Sequence, residues 1–478
     1  MLKAISYHFF AKVITVFSAY LLHFCLGKML TVEEYGIVGT IINLCNFYYL
    51  FLTNGVRQSI SKNISVGCYL ERKVIKNGVL MQIIFSIALS LINYLIAPVL
   101  AEQFGNTEFT LYFRYVSILI PFTAIYFALT GGLNGIKLFK AEAIVTSLYP
   151  LLRLTAVPFS MLIDKNKPFG VISGFILSSF VSMLVTGILI VISFNKEKAI
   201  EAREEKPSYM STIKTSLQFI TMFAAITIVL NLDTLLLQFI KKDSVLVGYY
   251  TGVHTFSLVP YYLVSALYLV ILPYIAENYQ KGKIDEVKEI VIKNLRIITT
   301  FVFPIVLLIS ISSESLMVSF YGPEYSIAGK SLSILVLGLF MLSIFALVCV
   351  VLNGMNKKKI TLISSVFIVI LDIALQLLLI PKYGILGASL ATSISAASGC
   401  VFIAICLFSY LNIWKTFYHA IYKTMLIIIV FSIVTFILYN SLLIDNLIVL
   451  ALTYLLLAVP YMYSILKLKI INIGELTS

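Results

Sequence analysis

Charged residues are scarce in this chain. Of its 478 residues, 12% are Asp, Glu, Lys or Arg, whereas 60% are hydrophobic and the mean hydropathy is +1.00. A soluble globular domain carries about 25% charged and about 45–50% apolar residues. The shortage of charge excludes a soluble cytosolic enzyme, a disordered protein and a nucleic-acid-coating protein, because the chain cannot cover a compact surface with polar groups. The composition predicts a polytopic membrane protein.

Cysteine and histidine are also few. The six Cys form no CxxC pair and no Cys/His cluster with metal-ligand spacing. The four His have no Ser, Cys or Asp partner at catalytic spacing, and no Gly-rich phosphate-binding loop occurs. These absences predict a protein that is not an enzyme and that holds no cofactor or metal. The N-terminal apolar run contains Lys12 and ends without a small-residue cleavage site, so we do not expect a cleaved signal peptide.

The chain does contain a series of long apolar runs. A helix needs about 20 apolar residues to cross a bilayer. The runs predict an all-α polytopic membrane protein with about 14 transmembrane helices. The predicted spans lie at 5–29, 37–56, 77–98, 112–133, 143–163, 171–194, 216–240, 249–272, 294–317, 328–352, 360–380, 385–410, 424–440 and 447–466.

The distribution of Lys and Arg predicts the orientation in the membrane. The net charge is +13, and roughly three quarters of the cations fall in alternate loops on one side of the predicted spans. Cytoplasmic loops carry an excess of Lys and Arg. We therefore expect a multi-pass protein of the cell membrane with both termini in the cytoplasm.

The predicted spans form two halves followed by a pair. A charged break at 195–214 separates the first six spans from the next six. The tripeptide Leu-Asn-Gly follows the fourth span at 133–135 and the tenth span at 352–354. Because each half has an even number of spans, the repeat is parallel, a plan in which transporters place the substrate site between two bundles. We predict an N-terminal lobe at 1–205, a C-terminal lobe at 206–423, and two additional helices with a cytoplasmic tail at 424–478.

The other long inner break, 277–296, carries apolar residues at Ile284, Val287, Ile290 and Val291 among Lys and Glu. That spacing predicts a short amphipathic helix lying on the inner membrane surface.

Six short motifs, in the same order along the chain, resemble those of a known family. They are Leu30–Gly36 (LTVEEYG), Gly55 with Ser59 and Lys62, Gly132–Gly135, Asp233 followed by Val247-Gly248-Tyr249, Tyr321-Gly322 with Tyr325, and Pro381–Ile385 with Gly387-Ala388. From about residue 1 to 425 the chain resembles polysaccharide-type flippases of the multidrug/oligosaccharidyl-lipid/polysaccharide exporter (MOP) superfamily. The resemblance implies two six-helix lobes in a V around a central, partly hydrated cavity. It also implies a flippase that moves polyprenyl-pyrophosphate-linked oligosaccharide from the inner to the outer leaflet by alternating access.

Charged residues inside the predicted spans are the candidates for that cavity. A charge at the bilayer centre costs at least about 2.5–3.5 kcal/mol unless it faces a cavity or a partner. The functional interpretation assigns cations to the pyrophosphate, and carboxylates to sugar hydroxyls or to a coupling cation, H⁺ or Na⁺. The alternatives are a structural Arg–Asp pair and a Lys that snorkels to the interface. The candidates are Arg153, Asp233, Asp372, Lys12 and Arg114.

Three functional classes stay open at this point. The first is a lipid-linked oligosaccharide flippase of cell-surface polysaccharide biosynthesis, whose expected partners are its substrate, membrane lipids and a polysaccharide polymerase or glycosyltransferase, but no nucleic acid. The second is a cation-coupled exporter of drugs or small organic cations on the same fold, which favours an acidic cavity. The third, a membrane-bound polymerase or ligase, requires a large outer loop, and the predicted outer loops are short. Arg153 and Lys12 favour the flippase.

Overall fold

The fold is all-α. A computed structural model describes residues 2–65, 70–163, 166–196, 209–442 and 447–467, and these residues contain helices and no strand. The predicted fold class is confirmed. The helices are α1 Leu2–Met29, α2 Val32–Phe51, a π-helix Leu52–Val56, α3 Arg57–Ser65, α4 Glu71–Gln103, α5 Phe109–Gly135, α6 Phe139–Arg153, α7 Ala156–Leu162, α8 Lys167–Lys196, α9 Tyr209–Lys241, α10 Ser244–Ser257, α11 Val259–Gln280, α12 Ile284–Ile311, α13 Ser313–Tyr321, a 3₁₀-helix Pro323–Ala328, α14 Gly329–Gly354, α15 Lys358–Leu411, α16 Trp414–Leu442 and α17 Leu447–Lys467.

The helices follow the apolar runs closely. In the described residues, each predicted span coincides with one helix, with part of a helix, or with two consecutive helices. Ten helices of this described part are long and apolar enough to cross a membrane. The number of 14 spans therefore stays a prediction, since several spans consist of shorter helices and α15 contains two of them.

Helix α15 is a hairpin of two helices that meet at Gly384. This residue has φ 56° and ψ −127°, a conformation that glycine adopts without the steric cost that a side chain imposes. The two halves run antiparallel, because Ser395 Oγ donates a hydrogen bond to Asp372 Oδ1 (2.9 Å) and Gln376 Nε2 donates to Thr392 Oγ1 (2.9 Å). The Pro-Lys-Tyr-Gly-Ile motif thus forms the turn between two spans.

The prediction of a separate amphipathic helix at 277–296 is wrong. This segment contains the end of α11 and the first turns of α12, which continues without interruption to Ile311. Val287, Val291 and Leu295 are buried and belong to the same helix face as the apolar residues that follow. The apolar residues do share one helix face, as their spacing predicts. However, no helix breaker separates them from the following span, so one long helix forms instead of two.

The chain forms two compact units, Met1–Gly248 and Tyr249–Ser478. Helix α9 belongs to the first unit, where it packs against α2, the π-helix and α3. In the second unit α16 packs against α12, and α17 packs against α16. The lobe boundary predicted at residue 205 lies in the segment 197–208, outside the described residues, so the division into lobes stays a prediction.

The LTVEEYG motif builds the start of α2. Thr31 Oγ1 accepts a hydrogen bond from the backbone N–H of Glu34, and the Glu34 carboxylate accepts one from the backbone N–H of Thr31. This capping box satisfies backbone groups that a helix start leaves without partners. The last residue of the motif, Gly36, touches the start of α10 so closely that a Cβ would overlap the backbone carbonyl of Ser244. Gly248, from another motif, lies equally close to Val32 of α2. The two motif glycines therefore permit one close helix crossing in the first unit.

Candidate functional site

Arg153 is the last residue of α6 and lies inside the first unit. Its Cζ lies 4.1 Å from the centre of the Phe175 ring on α8, in the geometry of a cation–π contact. The Nε atom is buried and has no hydrogen-bond partner, and no carboxylate of the described residues lies within ion-pair distance of the guanidinium. The predicted alternative, a pair between Arg153 and Asp233, is therefore absent from this part of the chain.

A break in the helix places Arg153. Helix α6 ends at this residue and α7 begins at Ala156. Pro158 lies in the first turn of α7, where it cannot donate a backbone hydrogen bond and its ring conflicts with the carbonyl four residues earlier, at Leu154. The hydroxyl of Thr155 donates a hydrogen bond of 3.2 Å to the carbonyl of Gly174 on α8. This contact ties the broken segment to the helix that carries Phe175.

A pair of tyrosine hydroxyls lies one helical turn from Arg153. Tyr149 precedes it by one helical turn on α6, and its hydroxyl lies 3.1 Å from the hydroxyl of Tyr49 on α2. The ring of Tyr149 stacks on Tyr126 of α5 with 4.9 Å between the ring centres. The pair of phenol hydroxyls thus lies one helical turn along α6 from the residue whose guanidinium contacts the Phe175 ring.

Two amides extend this polar set to α9. Asn46 lies three residues before Tyr49, on the same face of α2. Its Nδ2 donates a hydrogen bond of 2.8 Å to Oδ1 of Asn231 on α9, and Asn231 Nδ2 donates to the carbonyl of Thr227 at 2.7 Å. We name Arg153, Tyr149, Tyr49, Asn46 and Asn231 the Arg153 cluster. It combines one cation with hydroxyl and amide groups, which are the groups that bind phosphates and sugars.

The π-helix Leu52–Val56 comes directly after α2, the helix that carries Asn46 and Tyr49. A π-helix leaves carbonyls without their ordinary helical donors and occurs frequently at functional sites. Here the carbonyl of Leu52 accepts a hydrogen bond of 3.1 Å from Nε2 of Gln82 on α4, a buried side chain. The irregular backbone is therefore held by a specific partner.

The two carboxylate candidates are both fully buried. Asp233 lies on α9, and its Oδ1 accepts hydrogen bonds from the backbone N–H of Thr234 (2.6 Å) and from the Thr234 hydroxyl (3.2 Å). Asp372 lies in the second unit, where its Oδ1 accepts the hydrogen bond from Ser395 inside the α15 hairpin. Each carboxylate thus accepts a hydrogen bond from a neutral hydroxyl group.

The other two cation candidates lie on exposed surface. Arg114 is exposed near the start of α5, with its Cζ 4.8 Å from the ring centre of Tyr94 on α4. This geometry fits a side chain that snorkels along an interfacial aromatic residue. Lys12 is exposed on α1. The structure brings neither of them into the Arg153 cluster.

Sequence reasoning missed a buried charge network in the first unit. Arg57, which directly follows the predicted span 37–56, donates a hydrogen bond to Glu142 Oε1 at 3.0 Å, and Glu142 is 1% exposed. Asn134 Nδ2 donates to the other carboxylate oxygen at 2.7 Å, and Ser61 Oγ donates to Asn134 Oδ1 at 2.6 Å. His8 lies 3.6 Å from the same carboxylate. The signal available in the sequence was an acidic residue directly before the predicted span 143–163, seven residues after a Leu-Asn-Gly motif.

Comparison of the sequence with known proteins identifies the family of this chain. A family model described as polysaccharide biosynthesis protein matches residues 1–279, more than half of the chain. An uncharacterized membrane protein of Methanocaldococcus jannaschii is 24% identical over 403 residues, which cover 80% of this chain and 91% of that protein. The lipid II flippase MurJ of Bacillus subtilis is 24% identical over 395 residues, which cover 73% of this chain and 72% of MurJ.

Solved structures share the fold. The lipid II flippase MurJ in an inward closed conformation matches with a TM-score of 0.74 at 18% identity, covering 97% of this chain and 98% of the other. An inward-facing multidrug resistance MATE family transporter of the MOP superfamily matches with a TM-score of 0.70 at 13% identity, covering 84% and 96%. The family resemblance predicted from the six motifs is confirmed. The chain belongs to the polysaccharide biosynthesis protein family and has the fold of MOP superfamily transporters.

Proposed function

We propose that this protein is a flippase that moves polyprenyl-pyrophosphate-linked oligosaccharide from the inner to the outer leaflet by alternating access. Family membership supports a role in polysaccharide biosynthesis, and the relative MurJ is named a lipid II flippase. The protein acts as a transporter in the cell membrane and not as an enzyme. Its termini lie in the cytoplasm, and polysaccharide polymerases or glycosyltransferases supply and consume the substrate.

The observation that carries the proposal is the state of Arg153. A guanidinium within a membrane span is costly unless it faces a cavity or a partner. In the described residues it has an aromatic neighbour, Phe175, but no carboxylate partner. Its planar fork suits two-point contact with a phosphate, whereas an ammonium group is a point charge. The anionic head of the substrate supplies the missing partner.

The surrounding groups fit the rest of such a substrate. Tyr49 and Tyr149 present hydroxyls, and Asn46 and Asn231 present amides, along helices α2, α6 and α9. Hydroxyls and amides both donate and accept hydrogen bonds, as the hydroxyl groups of sugars require. We infer that the pyrophosphate binds at Arg153 and that the proximal sugars contact the remaining members of the Arg153 cluster.

The experiment compares Arg153→Ala with Arg153→Lys and with the control Arg72→Ala in cells that depend on this protein for surface polysaccharide. Arg72 is exposed at the start of α4, so its replacement removes the same side chain at a different place. We expect Arg153→Ala to abolish export at normal membrane levels, and Arg153→Lys to retain part of it because the charge stays. Wild-type export from Arg153→Ala contradicts the proposal.

A second candidate function rests on the buried carboxylates. An exporter of organic cations coupled to H⁺ or Na⁺ uses acidic groups for its substrate, and Asp233 and Asp372 are fully buried. The MATE fold is shared, so the fold does not separate the two functions. Drug resistance measured in cells that express Asp233→Asn or the unchanged protein distinguishes them. We expect no resistance from either protein, because we assign the carboxylates to a coupling cation and not to the substrate.

A further inference from the structure

One end of the second unit carries a stripe of exposed aromatic side chains with lysines beside it. Trp414, Tyr418 and Tyr422 follow one another at intervals of four residues at the start of α16, so they share one helix face. Their side chains are 48%, 67% and 37% exposed. Lys415 and Lys423 are exposed next to them. With Lys467 at the end of α17, these residues form what we name the basic–aromatic patch.

The packing of α16 and α17 brings Lys467 to the same end as Lys423. The ring of Phe431 on α16 lies 4.8 Å from that of Tyr461 on α17, and Ile428 and Ile465 belong to the same buried cluster. These pairs show an antiparallel register, in which the start of α16 lies beside the end of α17. The lysines of the two helices therefore meet at one level.

The hairpin α15 adds further positive charge at this end. It begins and ends there, since Nζ of Lys357, just before its start, lies 4.5 Å over the ring of Tyr410 near its end. Lys358 and Lys359 follow in the first turn and are exposed. The positive charge thus extends from the start of α15 across α16 to the end of α17.

No carboxylate of the described residues balances these lysines. Between Lys357 and Lys467 the described chain holds one acidic residue, Asp372, which is buried in the middle of a helix. None of the six lysines at this end forms an ion pair with any residue that the structure describes.

The neighbouring turn between α11 and α12 shows the opposite arrangement. Lys281 pairs with Glu277 at 2.5 Å, Lys283 with Glu286 at 2.6 Å, and Lys288 with Asp285 at 2.8 Å. The hydrogen bond from Lys281 lowers the pKa of Glu277 below its ordinary value. The cations of that turn are neutralised within the protein, whereas those of the basic–aromatic patch are not.

We propose that the basic–aromatic patch binds the headgroup phosphate of an anionic phospholipid from the surrounding leaflet. Trp and Tyr are enriched at the membrane–water interface, so the stripe fixes the depth at which α16 enters the bilayer. Lysines at that depth attract anionic headgroups, and exposed lysines without carboxylate partners are available for them. The aromatic rings contact the upper acyl chain and glycerol while the ammonium groups contact the phosphate.

A positive-inside role alone does not account for this arrangement. That rule requires positive charge in the loop during insertion, and it implies no preference between lipids in the folded protein. At the basic–aromatic patch of the folded protein, by contrast, an anionic lipid displaces a zwitterionic one.

The chain contains its own reporter for the test. Trp414 is the only tryptophan of the 478 residues, and it belongs to the patch. Bromine on a lipid acyl chain quenches tryptophan fluorescence at contact range. The full chain is reconstituted into vesicles of phosphatidylcholine and phosphatidylglycerol, in which either one lipid or the other is brominated near the headgroup end of its chains. The ratio of the two quenching curves gives the relative affinity at Trp414.

We expect brominated phosphatidylglycerol to quench Trp414 more strongly than brominated phosphatidylcholine at equal mole fraction. The double variant Lys415→Gln/Lys423→Gln lowers this preference by about fivefold for each lysine removed. The control Lys330→Gln/Lys382→Gln removes two exposed lysines from the opposite end of the unit and leaves the preference unchanged.

Three outcomes overturn the proposal. Equal quenching by both lipids in the unchanged protein shows that no anionic lipid is preferred. An unchanged preference in the Lys415→Gln/Lys423→Gln variant shows that the patch is not its origin. Loss of the preference on addition of inorganic phosphate at constant ionic strength shows that the site takes a free anion and not a lipid headgroup.

Discussion

At the scale of single residues, the charges of the first unit fall into two types. Glu142 is enclosed by Arg57, Asn134 and His8, whereas Arg153 contacts the Phe175 ring and no carboxylate of the described residues. Glu142 thus has its charged partner within the protein, whereas we propose that the substrate supplies the partner of Arg153. Arg153 therefore fits substrate binding, and Glu142 fits the support of the helices around it.

The Glu142 network makes a prediction about stability. Glu142→Gln leaves Arg57 without its carboxylate, and loss of one partner of a buried pair costs about 3 kcal/mol. We expect a lower unfolding midpoint in detergent, measured by calorimetry. The double variant Glu142→Leu/Arg57→Met removes both charges, so it recovers most of the lost stability.

An equal loss in the single and the double variant contradicts the ion-pair interpretation, because it assigns the effect to packing alone. Export activity is measured on the same samples. We expect export to fall in proportion to the amount of folded protein. Replacement of a residue that binds the substrate would lower export below that level.

At the scale of helices, the family motifs correspond to close contacts. Gly36 and Gly248 allow the starts of α2 and α10 to touch. Gly131, which precedes the Leu-Asn-Gly motif on α5, lies against the backbone of Arg57, where a Cβ would come within 2.5 Å of its carbonyl oxygen. Asn134 of the motif then reaches Glu142. The motif glycines therefore lie where two helix backbones approach each other, and the motif residue Asn134 lies where the buried Glu142 carboxylate needs a hydrogen-bond donor.

This interpretation predicts different effects for matched glycine substitutions. Gly36→Ala and Gly248→Ala place a methyl group on a neighbouring backbone, so we expect a lower unfolding midpoint and less folded protein in the membrane. Gly187→Ala, on α8, places the same methyl 3.9 Å from the nearest side chain and removes a flexible residue from a helix. It leaves stability unchanged or raises it by about 0.5–1 kcal/mol. Equal tolerance of all three variants contradicts a close crossing of α2 and α10.

The sequence predicted the positions of the helices well for a physical reason. In a bilayer every backbone polar group needs a partner within the protein, so a long apolar run is nearly always a helix. The break predicted between the spans 360–380 and 385–410 corresponds to the turn at Gly384. The prediction at 277–296 is wrong because the apolar periodicity shows which residues share a helix face. It does not show where the helix ends, and α12 continues into the span.

The site was only partly predictable. Arg153 was found because a charge inside an apolar run is conspicuous, and its lack of a carboxylate partner is a tertiary fact that no local pattern contains. Arg57 was assigned to a loop because it follows a span, whereas the π-helix extends the helical segment and places it beside Glu142. The contact of Arg114 on α5 with the Tyr94 ring on α4 is likewise a tertiary contact that no local pattern contains.

At the scale of the whole molecule, the orientation in the membrane is the prediction that can be tested without a substrate. In a variant whose native Cys are replaced by Ala, single Cys are introduced at Thr107 and Glu324 for the outside, and at Lys73 and Lys358 for the inside. All four positions are exposed. A membrane-impermeant thiol reagent added to intact cells should label the first pair only. Labelling of Lys73→Cys and Lys358→Cys alone would show that the topology is the reverse of the predicted one.

The central claim is that this protein moves a lipid because the lipid carries a pyrophosphate. The most direct measurement follows a fluorescent polyprenyl-linked oligosaccharide in proteoliposomes, with the sugar joined either through a pyrophosphate or through an uncharged ether. Dithionite bleaches only the outer leaflet, so the bleached fraction reports movement between leaflets. The account predicts protein-dependent movement of the pyrophosphate lipid alone, reduced to the protein-free rate by Arg153→Ala and unaffected by Arg72→Ala. Equal movement of both lipids, or full movement of the pyrophosphate lipid by Arg153→Ala, contradicts it.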